Sequence, residues 1–333
     1  MSNINVKNKS KSPHLFIEWF SYFLSVRTFS IKIEDFTDTS ITQIPSGVPQ
    51  GLVSGPLLFL IFINDLLLDL ARIPFLHVSA FADDIKIFSS NPVAIQNGID
   101  LIENWSSANS PPLAHTKTSL LRPEPNNASF PYSIAGHPNE TFESVRDLGL
   151  IPDSSLKFKS HINKTISSAL LRSKQLLNAF KSTSPQFYIF LFKCYVLLII
   201  EYCSVVYSPP PTSKLSLSLE TPPRFFTRKI FHRCNLTYSS YSDRLAQLNL
   251  FSMRHRRLQA QLLLLYKFLS GTSYYPNLDS YVRFSCSTRR PMNLVSIKPN
   301  CSDFFSHTVP FWNAIAAQTS YFLPPAEFCT LIM

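Results

Sequence analysis

The sequence predicts an α+β fold in which short strands and helices come first and an all-helical region follows. Residues 28–153 alternate between brief apolar runs typical of strands and two segments with helical periodicity. From residue 154 onward, apolar side chains recur every three or four positions over long stretches, which is typical of amphipathic helices. Only seven glycines occur in the 333 residues and no G-x-G-x-x-G pattern is present, so a dinucleotide-binding fold is excluded.

Three helices are predicted in the first third of the chain. Ser12-Pro13 begins the first, because serine caps a helix and proline fits its first turn, and aromatic residues follow on one face until Arg27. Residues 56–70 are mostly apolar and predict a largely buried helix. Asn91-Pro92 begins the third helix, in which isoleucines lead to Trp105 at helical spacing.

Seven short strands are predicted between and after these helices. They lie at 29–34, 40–44, 76–81, 85–89, 118–122, 130–134 and 145–151. The third and fourth strands are separated by only three residues, so they predict a hairpin with Asp83 and Asp84 at its tip. A Pro-rich turn is predicted at 106–114.

The second half of the chain is predicted to be helical. Helices are expected at 162–180, 185–201, 224–233, 240–248 and 252–270, with a Pro-rich break at 208–214. The final 60 residues contain scattered prolines and little periodicity. The predicted domains are therefore an N-terminal helix with a basic leader at 1–27, a mixed region at 28–153, a helical region at 154–270 and a C-terminal extension at 271–333.

The charge balance favours a partner that carries phosphates. The chain has 31 basic and 21 acidic residues, a formal net charge of +10. Residues 153–193 hold seven Lys or Arg against one acid, and residues 224–257 hold eight against one. Basic surfaces follow phosphate backbones without reading sequence. The alternative, that these cations only solvate helix faces, stays open at this point.

Composition also bears on the compartment. No signal peptide is evident, and the six cysteines form no C-x-x-C pattern, so an intracellular chain with reduced thiols and no zinc site is expected, nuclear or cytoplasmic. Residues 52–70 and 188–207 are apolar but contain charged side chains. Because charges within a span are costly in lipid, we expect no membrane partner.

Two local features have the composition of a binding or catalytic site. Asp83 and Asp84 suit a hard cation such as Mg²⁺, which binds carboxylates together with substrate phosphates, although acidic turns are common in any protein. Ser46-Gly47-Val48-Pro49-Gln50-Gly51 has glycines on both sides of Pro49 and Gln50. Such a loop lets the backbone approach a ligand closely, and the Gln50 amide can hydrogen-bond a sugar or base. The alternative is a loop without a ligand, in which the glycines only provide the positive φ needed before a helix.

Together, the two features resemble the reverse transcriptase domain of non-LTR (LINE-like, jockey or CR1 type) retrotransposons. Residues 46–51 resemble motif B of that family, and Phe81-Ala82-Asp83-Asp84 resembles the aromatic-Ala-Asp-Asp box of motif C. Lys117-Thr118 resembles motif D. Further matches follow in chain order at 148–150, 158–162, 201–204, 244–245 and 312–313, so the resemblance covers roughly residues 15–320.

This resemblance implies a fold, a reaction and a set of site residues. The fold would be an incomplete polymerase palm at 28–153, an antiparallel sheet with packed helices, followed by an all-α thumb and C-terminal region. The reaction would be Mg²⁺-dependent transfer of deoxynucleotides from dNTPs to a DNA primer on an RNA template. The implied catalytic residues are Asp83 and Asp84, which would bind the metal, and Lys117, near the triphosphate. The implied nucleotide- and template-binding residues are Ser46, Gly47, Pro49, Gln50, Gly51, Phe81 and Ala82.

One departure from the family pattern concerns the first catalytic motif. The family has a metal-binding Asp on a strand just before the helix that here begins at Pro13, but the first acidic residue of the chain is Glu18. We therefore expect an N-terminally truncated domain that is inactive alone. The alternatives are a non-catalytic nucleic-acid-binding remnant and, less favoured, a membrane-associated helical protein.

Overall fold

The computed structural model describes residues 14–25, 27–44, 47–48, 51–109, 113–123, 130–286, 289, 292–297, 304–316 and 323–332. The chain divides into two compact units. Unit 1 comprises residues 1–120 and 126–142, and unit 2 comprises residues 121–125 and 143–333. The fold mixes helices with small antiparallel sheets, as predicted, while the four predicted domain ranges stay a prediction.

The described part of unit 1 combines three helices with short hairpins. Its helices are α1 (His14–Leu24), α2 (Gly55–Ala71) and α3 (Pro92–Asn109), and a short 3-10 helix spans His115–Lys117. The strands are β1 (Arg27–Phe29), β2 (Lys32–Ile33), β3 (Phe36–Thr37), β4 (Thr42–Ile44), β5 (His77–Phe81), β6 (Asp84–Phe88), β7 (Leu120–Leu121, at the unit boundary), β8 (Ser133–Ile134), β9 (His137–Pro138) and β10 (Thr141–Phe142). Antiparallel pairs form between β1 and β4, β2 and β3, β5 and β6, and β8 and β9.

Most predicted elements of this unit are confirmed, but several differ in extent, and the strands predicted at 118–122 and 130–134 are each only two residues long. The predicted hairpin at 76–89 is present as β5 and β6, whereas the strand predicted at 29–34 is divided between β1 and β2. The helix α3 continues to Asn109, into the predicted turn. The start predicted for the first helix at Ser12-Pro13 lies outside the described residues.

The hairpin of β5 and β6 rests on two helices. Its inner side chains pack with residues of α2 and α3, around the buried Ile63, Leu66 and Leu70. On α3, a Cβ built on Gly98 would lie 2.9 Å from Leu76 Cδ2 and 3.1 Å from Ile87 Cδ1. The missing side chain of this glycine therefore lets α3 approach the hairpin closely, which fixes the hairpin on its support.

Unit 2 contains nine helices and one hairpin in its described part. The helices are α4 (Lys159–Ala179), α5 (Pro185–Phe192), α6 (Leu198–Glu201), α7 (Lys214–Ser218), α8 (Thr221–Arg233), α9 (Tyr241–Gln247), α10 (Met253–Leu269), α11 (Phe304–Ile315) and α12 (Pro325–Leu331). A π-helical turn at Lys193–Leu197 joins α5 to α6, a short 3-10 helix spans Leu278–Ser280, and β11 (Val282–Phe284) pairs with β12 (Leu294–Ser296).

Serine caps account for three of the predicted helix starts. The hydroxyl oxygens of Ser184, Ser240 and Ser252 accept hydrogen bonds from backbone N–H groups in the first turns of α5, α9 and α10. Each cap satisfies one donor that a helix leaves without an intrahelical partner. In the part of the chain that the structure describes, no helix is long and apolar enough to cross a membrane.

Two predictions for unit 2 are wrong. Residues 145–151 form no strand, because Leu148 (φ +44°) and Gly149 (φ +87°) turn the chain back so that Asp147 pairs with Leu150. The C-terminal region, predicted to be all-α, contains the β11–β12 hairpin as well as α11 and α12, and these elements share a hydrophobic cluster with α10. Its centre is aromatic, with Trp312 fully buried and the rings of Tyr266 and Phe328 stacked at 4.2 Å.

Candidate functional site

The predicted carboxylate pair lies at the tip of the β5–β6 hairpin. Phe81 is the last residue of β5 and stands opposite Asp84, the first residue of β6. Ala82 and Asp83 form the two-residue loop between them, and Ala82 adopts the left-handed conformation (φ +51°). That conformation costs a non-glycine residue roughly 1–2 kcal/mol, so the packed strands below must hold the tip in place.

The pleat of the hairpin separates an apolar face from a polar face. Val78, Ile85 and Ile87 point into the hydrophobic cluster of α2 and α3. Directly paired residues share a face and the side chains alternate along each strand. Phe81 and Asp84 therefore lie on the other face, where Phe81 is 64% exposed and both carboxylates reach solvent. The tip thus presents two acids and an aromatic ring to any ligand.

The donor set of the tip suits one hard cation that shares its coordination with a substrate. Mg²⁺ is commonly bound through one or two carboxylates, with waters and substrate phosphates completing its shell. Asp83 and Asp84 supply two such carboxylates. Across the described residues, no three His, Cys, Asp or Glu side chains come together in a group that could hold a metal ion. A site that bridges two ions about 4 Å apart requires further carboxylate oxygens.

The loop before α2 is partly described. Gly47 and Gly51 both adopt positive φ, +87° and +84°, and a Cβ at either position would meet no atom within 4 Å. Glycine is therefore required here by the backbone conformation, and open space surrounds both positions. Arg27 Nη2 donates a hydrogen bond to the carbonyl oxygen of Gly47 at 2.6 Å. The predicted site residues Ser46, Pro49 and Gln50 lie outside the described residues.

Lys117 is exposed and ends the short 3-10 helix of unit 1. The sequence placed it beside the start of a strand at 118–122, but the strand that forms, β7, is only two residues long. The role of Lys117 near a triphosphate stays a prediction.

A second candidate site lies within unit 2, and we call it the basic groove. This cavity of about 630 Å³ is lined mainly by cations from α4, α8 and α9 and by aromatic rings. The residues that define it are Lys174, Arg224, Arg228, Tyr238, Tyr241 and Arg244. No acidic side chain is among the described residues that line it. The excess of Lys and Arg in the sequence predicted basic helices here, but it did not predict that α4 and α8 line one cavity.

The aromatic rings hold the groove's cations in position. Arg224 Cζ lies 4.5 Å from the ring centroid of Tyr241, within the range of a cation–π contact. The Tyr241 hydroxyl donates to Glu220 Oε2 at 2.6 Å, so the ring cannot rotate freely. Burial, aided by this bond to Glu220, raises the pKa of Tyr241 well above its usual value. Tyr241 is therefore neutral at physiological pH and keeps its proton on the hydroxyl.

Arg244 forms the inner wall of the basic groove. Only 5% of it is exposed, its Nη1 donates to the Ser239 carbonyl oxygen at 2.8 Å, and its Nε donates to Thr227 Oγ1 at 3.3 Å. Its guanidinium also lies 5.7 Å from the ring centroid of Tyr238. A buried charge is screened less by salt than an exposed one. Arg244 thus contributes positive potential, while the exposed Lys174, Arg224 and Arg228 are accessible to phosphates.

Comparison with known proteins gives one family match and several relatives. Residues 3–152 match the family described as reverse transcriptase (RNA-dependent DNA polymerase). An uncharacterized protein of Caenorhabditis elegans is 35% identical over 139 residues, which cover 42% of this chain and 70% of that protein. The RNA-directed DNA polymerase from mobile element jockey of Drosophila funebris is 29% identical over 216 residues, 59% of this chain and 23% of that protein.

A third relative is similar over 154 residues. The putative 115 kDa protein in a type-1 retrotransposable element of Drosophila melanogaster is 29% identical over 154 residues, 43% of this chain and 14% of that protein. The chain therefore spans less than a quarter of either retrotransposon protein. No solved structure matches this chain significantly.

Proposed function

Because the chain belongs to the reverse transcriptases of non-LTR, LINE-like retrotransposons, we propose that its β5–β6 hairpin is the metal- and nucleotide-binding tip of a polymerase palm. The reaction of such a palm is RNA-directed DNA synthesis, in which a primer 3′-hydroxyl attacks an incoming dNTP and pyrophosphate leaves. The single observation that carries the proposal is the position of Phe81-Ala82-Asp83-Asp84. These residues form an exposed turn on a packed hairpin, inside the range that matches the family.

Each predicted site residue has a role in this proposal. Asp83 and Asp84 hold Mg²⁺, which when bound neutralises charge on the triphosphate. Phe81 and Ala82 lie beside the nucleotide. The loop at 46–51, with Ser46, Gly47, Pro49, Gln50 and Gly51, contacts template and incoming nucleotide, and Lys117 protonates the leaving pyrophosphate. Residues 28–153 would form the palm, and residues 154–270 the helical thumb.

We further propose that the 333-residue polypeptide binds metal and nucleotide without completing nucleotide transfer. Its palm offers one carboxylate pair, whereas two-metal transfer needs carboxylates that bridge both ions. No third His, Cys, Asp or Glu joins Asp83 and Asp84 in the part of the chain that the structure describes.

The second candidate function is nucleic-acid binding without catalysis, and the basic groove favours it. Two of its cations, Arg224 and Arg244, are already oriented by an aromatic ring and by a backbone carbonyl, so these two lose little side-chain entropy when phosphates bind. Stacking rings and cations are the usual components of sites that bind nucleic acid strands irrespective of sequence. This function does not depend on the carboxylate pair.

Metal affinity tests the proposed palm site directly. Mn²⁺ stands in for Mg²⁺, and electron paramagnetic resonance measures its binding to the full chain with and without a dNTP. We expect the dNTP to strengthen Mn²⁺ binding, and Asp83→Asn to weaken the dNTP-dependent binding about tenfold (~1.4 kcal/mol), because one charged ligand is lost.

The chain provides a matched control for this experiment. Glu34 and Asp35 form a second acidic hairpin tip, between β2 and β3, with Glu34 also in the left-handed conformation. Asp35→Asn removes the same charge from the same kind of turn and should leave Mn²⁺ affinity unchanged. Equal losses in the two variants, or no loss in Asp83→Asn, would show that the β5–β6 tip is an ordinary acidic turn.

A further inference from the structure

A second cavity of unit 2 lies at the N-terminal end of α10, and we call it the α10 cavity. Its volume is about 270 Å³. Its polar lining includes Ser252, Arg254, His255, Arg257 and His307. None of them belongs to the carboxylate tip or to the basic groove. The α10 cavity therefore needs an explanation of its own.

Arg257 is the most unusual residue of the α10 cavity. It is only 3% exposed, and its Nη2 donates to Ser216 Oγ at 2.7 Å. Its Nε and Nη1 are buried and have no hydrogen-bond partner among the described residues. A buried charged donor without a partner is costly, and proteins normally satisfy nearly all such groups. The unpaired N–H groups of a residue that lines a cavity indicate a ligand that accepts hydrogen bonds.

His255 adds a second unpaired group to the same cavity. Its Nε2 is buried and has no partner in the described part of the chain. Its ring is stacked on Phe251, with centroids 4.6 Å apart, and its backbone N–H donates to the Ser252 hydroxyl. The imidazole is therefore held in one orientation. When Nε2 carries the proton, it is a second hydrogen-bond donor among the residues that line the α10 cavity.

The charges around the α10 cavity favour an anion. Arg254 and Arg257 line it together with two histidines, His255 and His307. The acid that acts on Arg257 is Glu220, whose two carboxylate oxygens already accept from the Tyr241 hydroxyl and the Arg254 backbone N–H. Burial lowers the pKa of Arg257, and Glu220 opposes this effect. Glu220 thus offsets one positive charge without accepting a hydrogen bond from the unpaired Nε and Nη1 of Arg257.

We propose that the α10 cavity binds a phosphate group through Arg257, His255 and Arg254. Phosphate has several strong acceptor oxygens and matches a set of arginine and imidazole donors better than a neutral ligand does. The cavity is close to the lower limit of small-ligand sites, which span roughly 300–1,000 Å³. A phosphate with little attached to it therefore fits, and its source is either free phosphate or the phosphorylated end of a nucleic acid strand.

The first test measures phosphate binding to the full chain by isothermal titration calorimetry at constant ionic strength. We expect one saturable site for inorganic phosphate. Arg257→Gln should weaken it about tenfold, because a charge-assisted hydrogen bond is lost. Arg172→Gln removes an exposed cation of α4 that lines neither the α10 cavity nor the basic groove, and it serves as the matched control, with unchanged phosphate affinity.

Three outcomes would overturn the proposal: no saturable binding, an equal loss in Arg172→Gln, or full affinity in Arg257→Gln. Circular dichroism shows whether Arg257→Gln folds. If it does not, Arg254→Gln and His255→Gln replace it, and unchanged phosphate affinity in both of them would overturn the proposal equally.

A second arm distinguishes the two sources of phosphate. Two oligonucleotides of one sequence, with and without a 5′-phosphate, compete with inorganic phosphate for the wild-type chain. If the site takes strand ends, the 5′-phosphorylated oligonucleotide binds more tightly and Arg257→Gln abolishes the difference. If it takes free phosphate, inorganic phosphate binds and neither oligonucleotide displaces it.

Discussion

The purified 333-residue polypeptide is expected to give no measurable primer extension with template-primer, dNTPs and Mg²⁺ or Mn²⁺. In two-metal transfer, bridging carboxylates position the attacking and leaving oxygens and stabilise the charge of the transferring phosphate. Asp83 and Asp84 provide one pair, and no third His, Cys, Asp or Glu joins them among the described residues. Without further carboxylates the transition state loses most of its electrostatic stabilisation.

The activity measurement requires one control, because a contaminating polymerase would also extend a primer. Asp83→Ala, purified in the same way, identifies activity that does not come from this site. Template-dependent extension by the wild-type chain that disappears in Asp83→Ala would contradict the expectation. It would show that this chain assembles a complete site.

Charge reversal in the basic groove is expected to have the second-largest effect. With four or five phosphate contacts, log affinity for a labelled RNA–DNA hybrid should fall with log salt at a slope of roughly −3 to −4. Lys174→Glu with Arg228→Glu should make this slope less negative by about 2 and weaken binding close to tenfold per contact near 0.1 M salt. Neither substitution touches the Arg224–Tyr241 contact, so the groove itself should persist.

The control for this pair uses the same two helices. Arg172 on α4 and Lys229 on α8 are exposed but do not line the groove. The double variant Arg172→Glu with Lys229→Glu changes the net charge by the same amount. Any difference in affinity between the two double variants therefore results from where the charges lie. Fluorescence anisotropy at several salt concentrations gives both slopes. Equal losses in the two pairs, a flat salt response of the wild-type chain, or strong preference for one base sequence would contradict the proposed groove.

The hairpin could be predicted from the sequence because residues close together in the chain determine it. Apolar alternation predicts the two strands, and the short Ala82-Asp83-Asp84 segment between them allows only a tight turn. The helices of unit 2 were equally predictable where a serine cap precedes an apolar period, as at Ser240 and Ser252. Local capping and periodicity do not depend on tertiary partners, so the sequence alone determines these elements.

Other features depend on contacts that the sequence does not display. Lys174 and Arg228 line one groove although α4 and α8 are far apart in sequence. Arg256 and Arg257 are neighbours, yet Arg256 forms an ion pair with Glu201 whereas Arg257 is buried with unpaired N–H groups. Pro310 lies within α11, so the sequence does not indicate a helix at this position. The helix nevertheless forms, and its Trp312 is buried in the hydrophobic cluster. In each of these examples, tertiary packing rather than local sequence determines the environment of the side chain.

The most direct test of the palm assignment is a crystal structure of the full chain soaked with Mn²⁺ and a dNTP. We predict an anomalous peak at coordination distance, about 2.1 Å, from a carboxylate oxygen of Asp83 or Asp84. The Gly51 backbone should lie within a few ångströms of the nucleotide and of the hairpin tip. A Mn²⁺ peak at Glu34 and Asp35 instead, or a hairpin tip remote from residues 47–51, would contradict the assignment.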